Sequence, residues 1–334
     1  MSSRRPNLFE RIVFGGTLIP QEFSVGMEDP CAEISVWLQA AGSCRDVTAH
    51  HTTACTSPLI MCVALEDGWN LAEHDLQRAR LRYCERDQGR TLGEIGLRFN
   101  SVVSLGRRRF ALFRVQRSSN YCLPRVRLWA HYGRHAFRQW GRNDPPDMRM
   151  SLLEQRATLV TFIRPHPLFL VSVGDRRAGN IFTMNLTGDL GTGYVGFALR
   201  DQRVVADVVE QAGRVAISGI PIARCSLAFQ LAANYKIQSV DWTTLPFRTV
   251  ASAEFGIPVP DFAAGVREVE IEKVERIGGH RLYIGRIARE VPAAAGPRAC
   301  VVHGFYQFWR MKGDRAKLRA SVAEDAVHKG RSGE

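Results

Sequence analysis

Ala178–Leu199 reads AGNIFTMNLTGDLGTGYVGFAL, and the fold turns on how this stretch is understood. An apolar run, Pro167–Val173 (PLFLVSV), precedes it across the polar turn Gly174-Asp175-Arg176-Arg177. Gly and Asp tolerate the dihedrals of a tight turn, so the pattern predicts strand, turn and second strand. The second arm is polar for a strand. It carries Asn180, Thr183, Asn185 and Thr187 among apolar residues, then turns at Gly191-Thr192-Gly193 into a third strand, Tyr194–Leu199. Amides and hydroxyls at this spacing, beside exposed backbone, suit a polar ring edge or a phosphate. An ordinary solvated strand face explains the same residues, and local chemistry alone favours it.

Downstream, Gln202–Gln211 places Val204, Val205, Val208 and Val209 on one helical face, and Gly213 stops that helix. Arg214–Ile220 reads as a strand and Ala223–Asn234 as a helix. Phe262–Arg276 is a long alternating strand, with His280–Arg289 as its hairpin partner across Gly278-Gly279. Upstream, Ser151 and Glu154 have capping-box spacing and start a short helix. Gly141–Met150 (GRNDPPDMRM), polar and double-proline, is the best domain boundary. The first half offers short strands at Glu33–Gln39, Leu59–Leu65, Leu81–Glu85, Gly93–Asn100 and Phe110–Gln116, while Leu128–Trp140 fits a helix or a strand with a loop. Ile12–Leu18 is a short apolar piece, Val301–Met311 a last apolar segment, and the charged tail from Lys312 reads as frayed. Many short strands with few long helices predict a barrel or sandwich.

An internal repeat emerges when Asp46 is set against Asn180. Glu33–Leu65 then lies over Pro167–Leu199 without a gap, and both copies end in Ala-Leu. Hairpin strands at 110–116 and 281–287 also correspond, whereas the helix at 223–234 has no counterpart. Two tandem, diverged copies of one small barrel are the expectation.

Composition sets the outer limits. The 334 residues suffice for two ordinary domains, and 45% apolar with 23% charged residues is globular. The net charge of +12 favours anionic partners, and only five of the 45 basic residues are Lys. No zinc-finger spacing, basic block or RNA-binding aromatic signature accompanies it, so nucleic acid ranks as a distant third partner class. The eight cysteines form no CxxC pair, and several, such as Cys62 and Cys300, have apolar neighbours suited to buried free thiols. The N-terminus lacks a signal-peptide pattern and no run reaches the roughly 20 residues of a membrane span, so a cytoplasmic chain without membrane contact is expected. His50-His51 with Cys55 and Cys62 lack metal-ligand spacing, and His131 with His135 lacks the HExxH glutamate, so no metal is assigned. Trp242 defaults to a packed loop aromatic.

From Ser151 onward the order of elements resembles the flavin reductase-like family, with its FMN-binding split β-barrel, over roughly residues 150–310. The resemblance rests on the capped helix running into RPHPLFLVSV, the strand GNIFTMNLTGDLG, the unit GYVGFALRDQRVVADVVEQAGRVAIS and the hairpin GHRLYIGRIARE. It implies a mainly β chain with short helices: a β-rich unit over 1–145, itself a degenerate split barrel, an FMN-binding split barrel over 146–312 and a flexible tail over 313–334. It implies that Asn180, Thr183, Met184, Asn185 and Thr187 line the isoalloxazine and ribityl chain, and that Arg200, Gln202 and Arg203 hold the phosphate. Arg there replaces the family's usual hydroxyls, and Asn185-Leu186-Thr187 stands in place of a Ser-Ser-Phe run. His280 is the implied catalytic residue, with a plain turn cap as the alternative. FMN, or FAD, would be the cofactor and NAD(P)H the hydride donor, with flavin and nicotinamide small molecules as partners. Family members place the flavin between subunits. Here a homodimer, or one chain acting as a pseudo-dimer with 42–57 facing 178–191, would supply both sides. A flavin- or haem-holding protein without turnover is the alternative.

Overall fold

The computed structural model describes residues 22–66, 69, 71–140, 150–292 and 295–306. The first half contains β1 (Glu22–Met27), β2 (Ile34–Ala40), β3 (Ser43–Asp46), β4 (His51–Thr56) and β5 (Leu59–Leu65). A single helical turn, α1 (Glu73–Leu76), leads to β6 (Ala79–Glu85) and the long hairpin of β7 (Thr91–Leu105) and β8 (Arg108–Asn120). Two helices, α2 (Arg125–Trp140) and α3 (Leu152–Thr161), follow. The second half runs through β9 (His166–Pro167), β10 (Phe169–Gly174), β11 (Gly179–Met184), β12 (Thr187–Asp189), β13 (Tyr194–Arg200), α4 (Val204–Ala212) and β14 (Arg214–Gly219). It continues with α5 (Cys225–Gln230), β15 (Thr249–Ala251), β16 (Pro258–Pro260), β17 (Val266–Ile277), β18 (His280–Val291) and β19 (Arg298–His303).

Two antiparallel seven-stranded sheets dominate. The first has the order β3-β2-β6-β7-β8-β5-β4, the second β11-β10-β14-β17-β18-β13-β12. Numbered within each half, these are the same permutation. The fold is mainly β and curls as in a split barrel. The gapless register is corrected in one strand. A shift of 134 residues brings inward-facing Met61 and Val63 of β5 onto Val195 and Phe197 of β13, but it sets inward Leu38 against Ser172. In β10 the inward pair is Val171 and Val173, so the first strands differ by one residue. The turns that follow differ as well: Ala40 pairs with Ser43 across two residues, Gly174 with Gly179 across four.

The polar arm also departs from a single strand. It breaks at Asn185-Leu186, and β11 and β12 lie on opposite edges of their sheet, paired with β10 and β13. Leu128–Trp140 is helical, beginning at Arg125. The capping box is present: Ser151 Oγ accepts from the Glu154 backbone N–H at 3.2 Å, and the Ser151 N–H donates to Glu154 Oε2 at 2.7 Å. Gly213, left-handed at φ 64°, closes α4 as read. The helix expected at 223–234 shortens to α5, with 3₁₀ turns on either side.

Each sheet buries its inward face under a helix. Leu38, Met61, Leu81 and Phe113 pack with Ala157 and Val160 of α3. Val173, Phe182, Phe197 and Tyr283 pack with Val205 and Val209 of α4. A small sheet in the order β1-β19-β9 brings the two ends of the described chain together. Residues 141–149, most of the expected boundary, lie outside the described residues, as do 12–18 and the segment from 307 onward. Among the described residues no helix is long and apolar enough to cross a membrane.

Candidate functional site

The two halves meet along β4 and β12, where 49–52 lies against 188–191, within the stretches 42–57 and 178–191. His50 and Leu190 form an antiparallel bridge, and the Gly191 N–H donates to the Ala49 carbonyl at 3.1 Å. A Cβ on Gly188 would lie 2.4 Å from the His51 carbonyl oxygen, so only glycine permits this approach. Ala54, Cys55 and Cys62 of the first half share one core with Leu190, Leu282 and Ile284 of the second.

The candidate residues fall into three environments. Asn180 is fully buried, and its Nδ2 donates to the carbonyls of Asn234 (3.1 Å) and Ile237 (2.7 Å). The Thr183 hydroxyl donates to the Ala228 carbonyl, and the Tyr235 hydroxyl donates back to the Thr183 carbonyl. These two polar side chains of β11 therefore pin the 225–237 segment to the sheet. Met184 packs in the core of the second half.

The second environment is the seam. Asn185 is half-buried, its carbonyl 3.3 Å from His166 Nδ1. Thr187 is buried and its hydroxyl has no partner among the described residues. His51 and His166 are buried nearby, each close enough to Arg164 to sense its charge. Burial, reinforced by the guanidinium, pushes His51 down to about 3 and His166 to about 4. Both rings are anchored to carbonyls, His51 Nδ1 at 2.6 Å from Val47 O and His166 Nε2 at 3.1 Å from Thr161 O.

The third environment is the turn after β13, where several candidates converge. Arg200 is the ladder partner of His280, and the Asp201 N–H donates to the Gly279 carbonyl at 2.9 Å. Gln202 is exposed. Arg203 caps the start of α4 without a side-chain bond to it and lies 6.0 Å from the centre of the Tyr235 ring. Its neighbourhood thus holds two guanidiniums, an amide and uncapped backbone N–H groups. Such a combination attracts an anion. Arg281 beside it is spent on Asp201, Asp207 and Glu210, the latter two at 2.7 Å.

His280 is buried rather than presented. Its Nδ1 lies 3.4 Å from Cys55 Sγ and its Nε2 3.3 Å from Thr56 Oγ1, both on β4 of the other half. Burial pushes the Cys55 thiol up, and it pushes Cys62, Cys122 and Cys300 up to about 12, so all four stay protonated at neutral pH. Trp242 is a packed loop residue, its Nε1 donating to the Asp175 carbonyl at 3.0 Å. Among the described residues no group of three His, Cys, Asp or Glu is placed to hold a metal ion. The sequence reading missed Tyr235 and the Asn234–Ile237 carbonyls as partners of β11. It missed Cys55 and Thr56 as partners of His280. Nothing local marks contacts between residues 50 to 230 positions apart.

No protein-family model matches the chain, and no curated protein matches it. Its neighbours among solved structures are flavin reductases and FMN-binding proteins. An NADH:FAD oxidoreductase from Streptomyces globisporus is 18% identical over 48% of this chain and 95% of its own, at a TM-score of 0.41. The flavin reductase component of a bacterial two-component tryptophan halogenase is 15% identical over 45% and 94%, at 0.39. An FMN-binding protein from Thermus thermophilus is 20% identical over 40% and 79%, at 0.36. These likenesses span less than half of the chain, and the strand order carries the fold without them.

Proposed function

We propose that the chain binds FMN, with FAD as the larger alternative, against the second sheet and passes hydride equivalents to it from NAD(P)H. The observation that carries the reading is the turn Arg200–Arg203 at the start of α4, held beside the Gly278–His280 hairpin by the Asp201–Gly279 hydrogen bond. The phosphate end fits. Arg200 and Arg203 would take its oxygens as charge-assisted donors, and Gln202 would add an amide. At the ring end the Thr187 hydroxyl is one buried polar atom that has no partner among the described residues and so has room for a ligand. Asn180 and Thr183 contribute indirectly, by fixing the 225–237 segment that carries Tyr235. A bound flavin would supply the redox chemistry; the chain's part is to anchor the phosphate and shield the site. The reading includes a unit boundary near 145/146, a tail from 313, and one chain doing the work of a dimer.

One observation favours a second reading, a flavin- or haem-holding protein without turnover: His280, the implied catalytic residue, is engaged by Cys55 and Thr56. The tests are spectroscopic. FMN added to the purified protein should bind with a shifted visible band, and Arg200→Ala with Arg203→Ala should weaken FMN at least tenfold while sparing riboflavin, which lacks the phosphate. Anaerobic NADH or NADPH should then bleach the bound flavin; a carrier would keep its colour. A protein that takes up no flavin refutes both readings.

A further inference from the structure

The outward faces of the two sheets differ. In the second half, α5, its flanking turns and residues 240–262 cover the outer side of β10 and β11 through Leu170, Ile181 and Trp242. The β15–β16 hairpin covers Ala216 of β14. Among the described residues the first half has no such segment, and the corresponding region of its sheet is an open cleft of about 750 Å³. Its floor is one cross-strand row, Gln39–Arg80–Gly96–Arg117, running over β2, β6, β7 and β8. Arg78 and Gln116 close one side and extend it toward Arg98.

We propose that this cleft binds a nucleotide-sized organic diphosphate, through a site separate from the flavin reading. Three features point to it. First, Arg78, Arg98 and Arg117 make no ion pair or hydrogen bond with any described residue. The carboxylate on this face, Glu94, is already shared by Arg80 (3.6 Å) and Arg82 (3.4 Å). Second, Arg98 and Arg114, both exposed, are direct cross-strand partners. Like charges placed opposite each other destabilise a ladder, and an anion between them removes the penalty. Third, Gly96 makes room for a guanidinium. A Cβ there would lie 2.4 Å from Arg117 Cγ and 2.5 Å from its Nε, so Arg117 lies flat across the floor because residue 96 has no side chain.

Ligand size and chemistry follow. Neighbouring strands are about 4.8 Å apart, so the row from Arg80 to Arg117 spans about 10 Å of backbone across Gly96. Arg78, Arg98 and Arg117 around it offer three forked guanidiniums, enough to engage two phosphates, because each can take oxygens in pairs. Gln39 and Gln116 add neutral donors and acceptors for a sugar or base. A cleft bounded by the 40–44 turn holds a small molecule, and its volume lies within the usual range of roughly 300 to 1,000 Å³ for such sites. A nucleic acid would call for an extended basic track instead.

Calorimetric titration of the whole chain with ADP at low salt tests the proposal. One ADP should bind per chain, and pyrophosphate should compete. Arg78→Gln with Arg117→Gln should weaken ADP at least tenfold while leaving FMN uptake unchanged. Gly96→Ala should weaken it severalfold with every charge retained, with the melting temperature read alongside to show that the fold persists. Arg200→Ala with Arg203→Ala, which strikes the flavin site, should leave ADP affinity as it was, so the two readings fail separately. Absence of ADP binding overturns the proposal, as does ADP binding lost only with the Arg200/Arg203 variant. Tight binding of a single-stranded 20-mer that ADP does not displace also overturns it, and makes this face a nucleic-acid surface.

Discussion

Two sheets with one strand order have been finished differently. The second carries a covering segment between β14 and β17 and buries its outer face under Trp242, Phe262 and the β15–β16 hairpin. The first passes from β6 directly into β7 and leaves Arg80, Arg98 and Arg117 on an open face. The barrel interior is common to both halves and constrained by packing. The outer face can differ without loss of the core, and here one sheet carries a cover while the other carries a charged cleft. Between them lies the seam, where His51, His166 and Arg164 sit in the dry zone that neither half has alone.

Acid should attack that seam with the largest effect. His51 and His166 are held at about 3 and about 4 in the fold, against 6.5 unfolded. Between those values the unfolded chain binds more protons, so stability is fully present above pH 6.5 and falls as pH drops toward 4. From pH 7.5 to 5 the two together should cost about 4 kcal/mol, as each pH unit below 6.5 removes about 1.4 kcal/mol per histidine. Melting temperatures across that range measure it, and His166→Phe should flatten the slope by about half. An unchanged slope in that variant would place the acid sensitivity elsewhere.

Glu268 comes next, because the cover hangs on it. It is fully buried on β17 and accepts from Ser252 Oγ (2.5 Å) and from the backbone N–H groups of Glu254 (2.8 Å) and Phe255 (2.7 Å). Glu268→Ala strands three donors and should cost about 3 kcal/mol. Protease cleavage within 249–260 should appear before global unfolding, because the loss is local to the hairpin.

How far the sequence revealed this architecture depends on the range of the interactions. The capping box at Ser151 and Glu154, the α4 stop at Gly213 and the β17–β18 hairpin at Gly278-Gly279 are local signals, and all three are present. The repeat was visible through its turns and apolar strands, but its register slips by one at β2, beside turns of two and four residues that a gapless overlay cannot accommodate. Asn180 and Thr183 stood out as polar residues in an apolar strand. That composition looks the same whether the partner is a ligand or the carbonyls of residues about 50 positions away. The open cleft was not visible at all. It is a row of four residues drawn from four strands, and their positions in the chain, 39, 80, 96 and 117, have no pattern until the sheet is paired.

The smallest expected effect is the sharpest check on the difference between the faces. Glu94 on β7 and Glu268 on β17 are outward glutamates on corresponding strands. Glu94 has more charged neighbours, Arg80 and Arg82, yet those pairs are 3.6 and 3.4 Å long and the arginines stay more than a third exposed. Water and salt screen such pairs, so Glu94→Ala should change stability by about 0.5 kcal/mol or less. It should also release Arg80 and Arg82 toward the cleft and tighten ADP. Counting ion pairs would rank Glu94 above Glu268; burial ranks it far below. Chemical denaturation of both variants at one salt concentration decides between the two rankings. A loss at Glu94 equal to that at Glu268 would mean that the first sheet's outer face is covered after all.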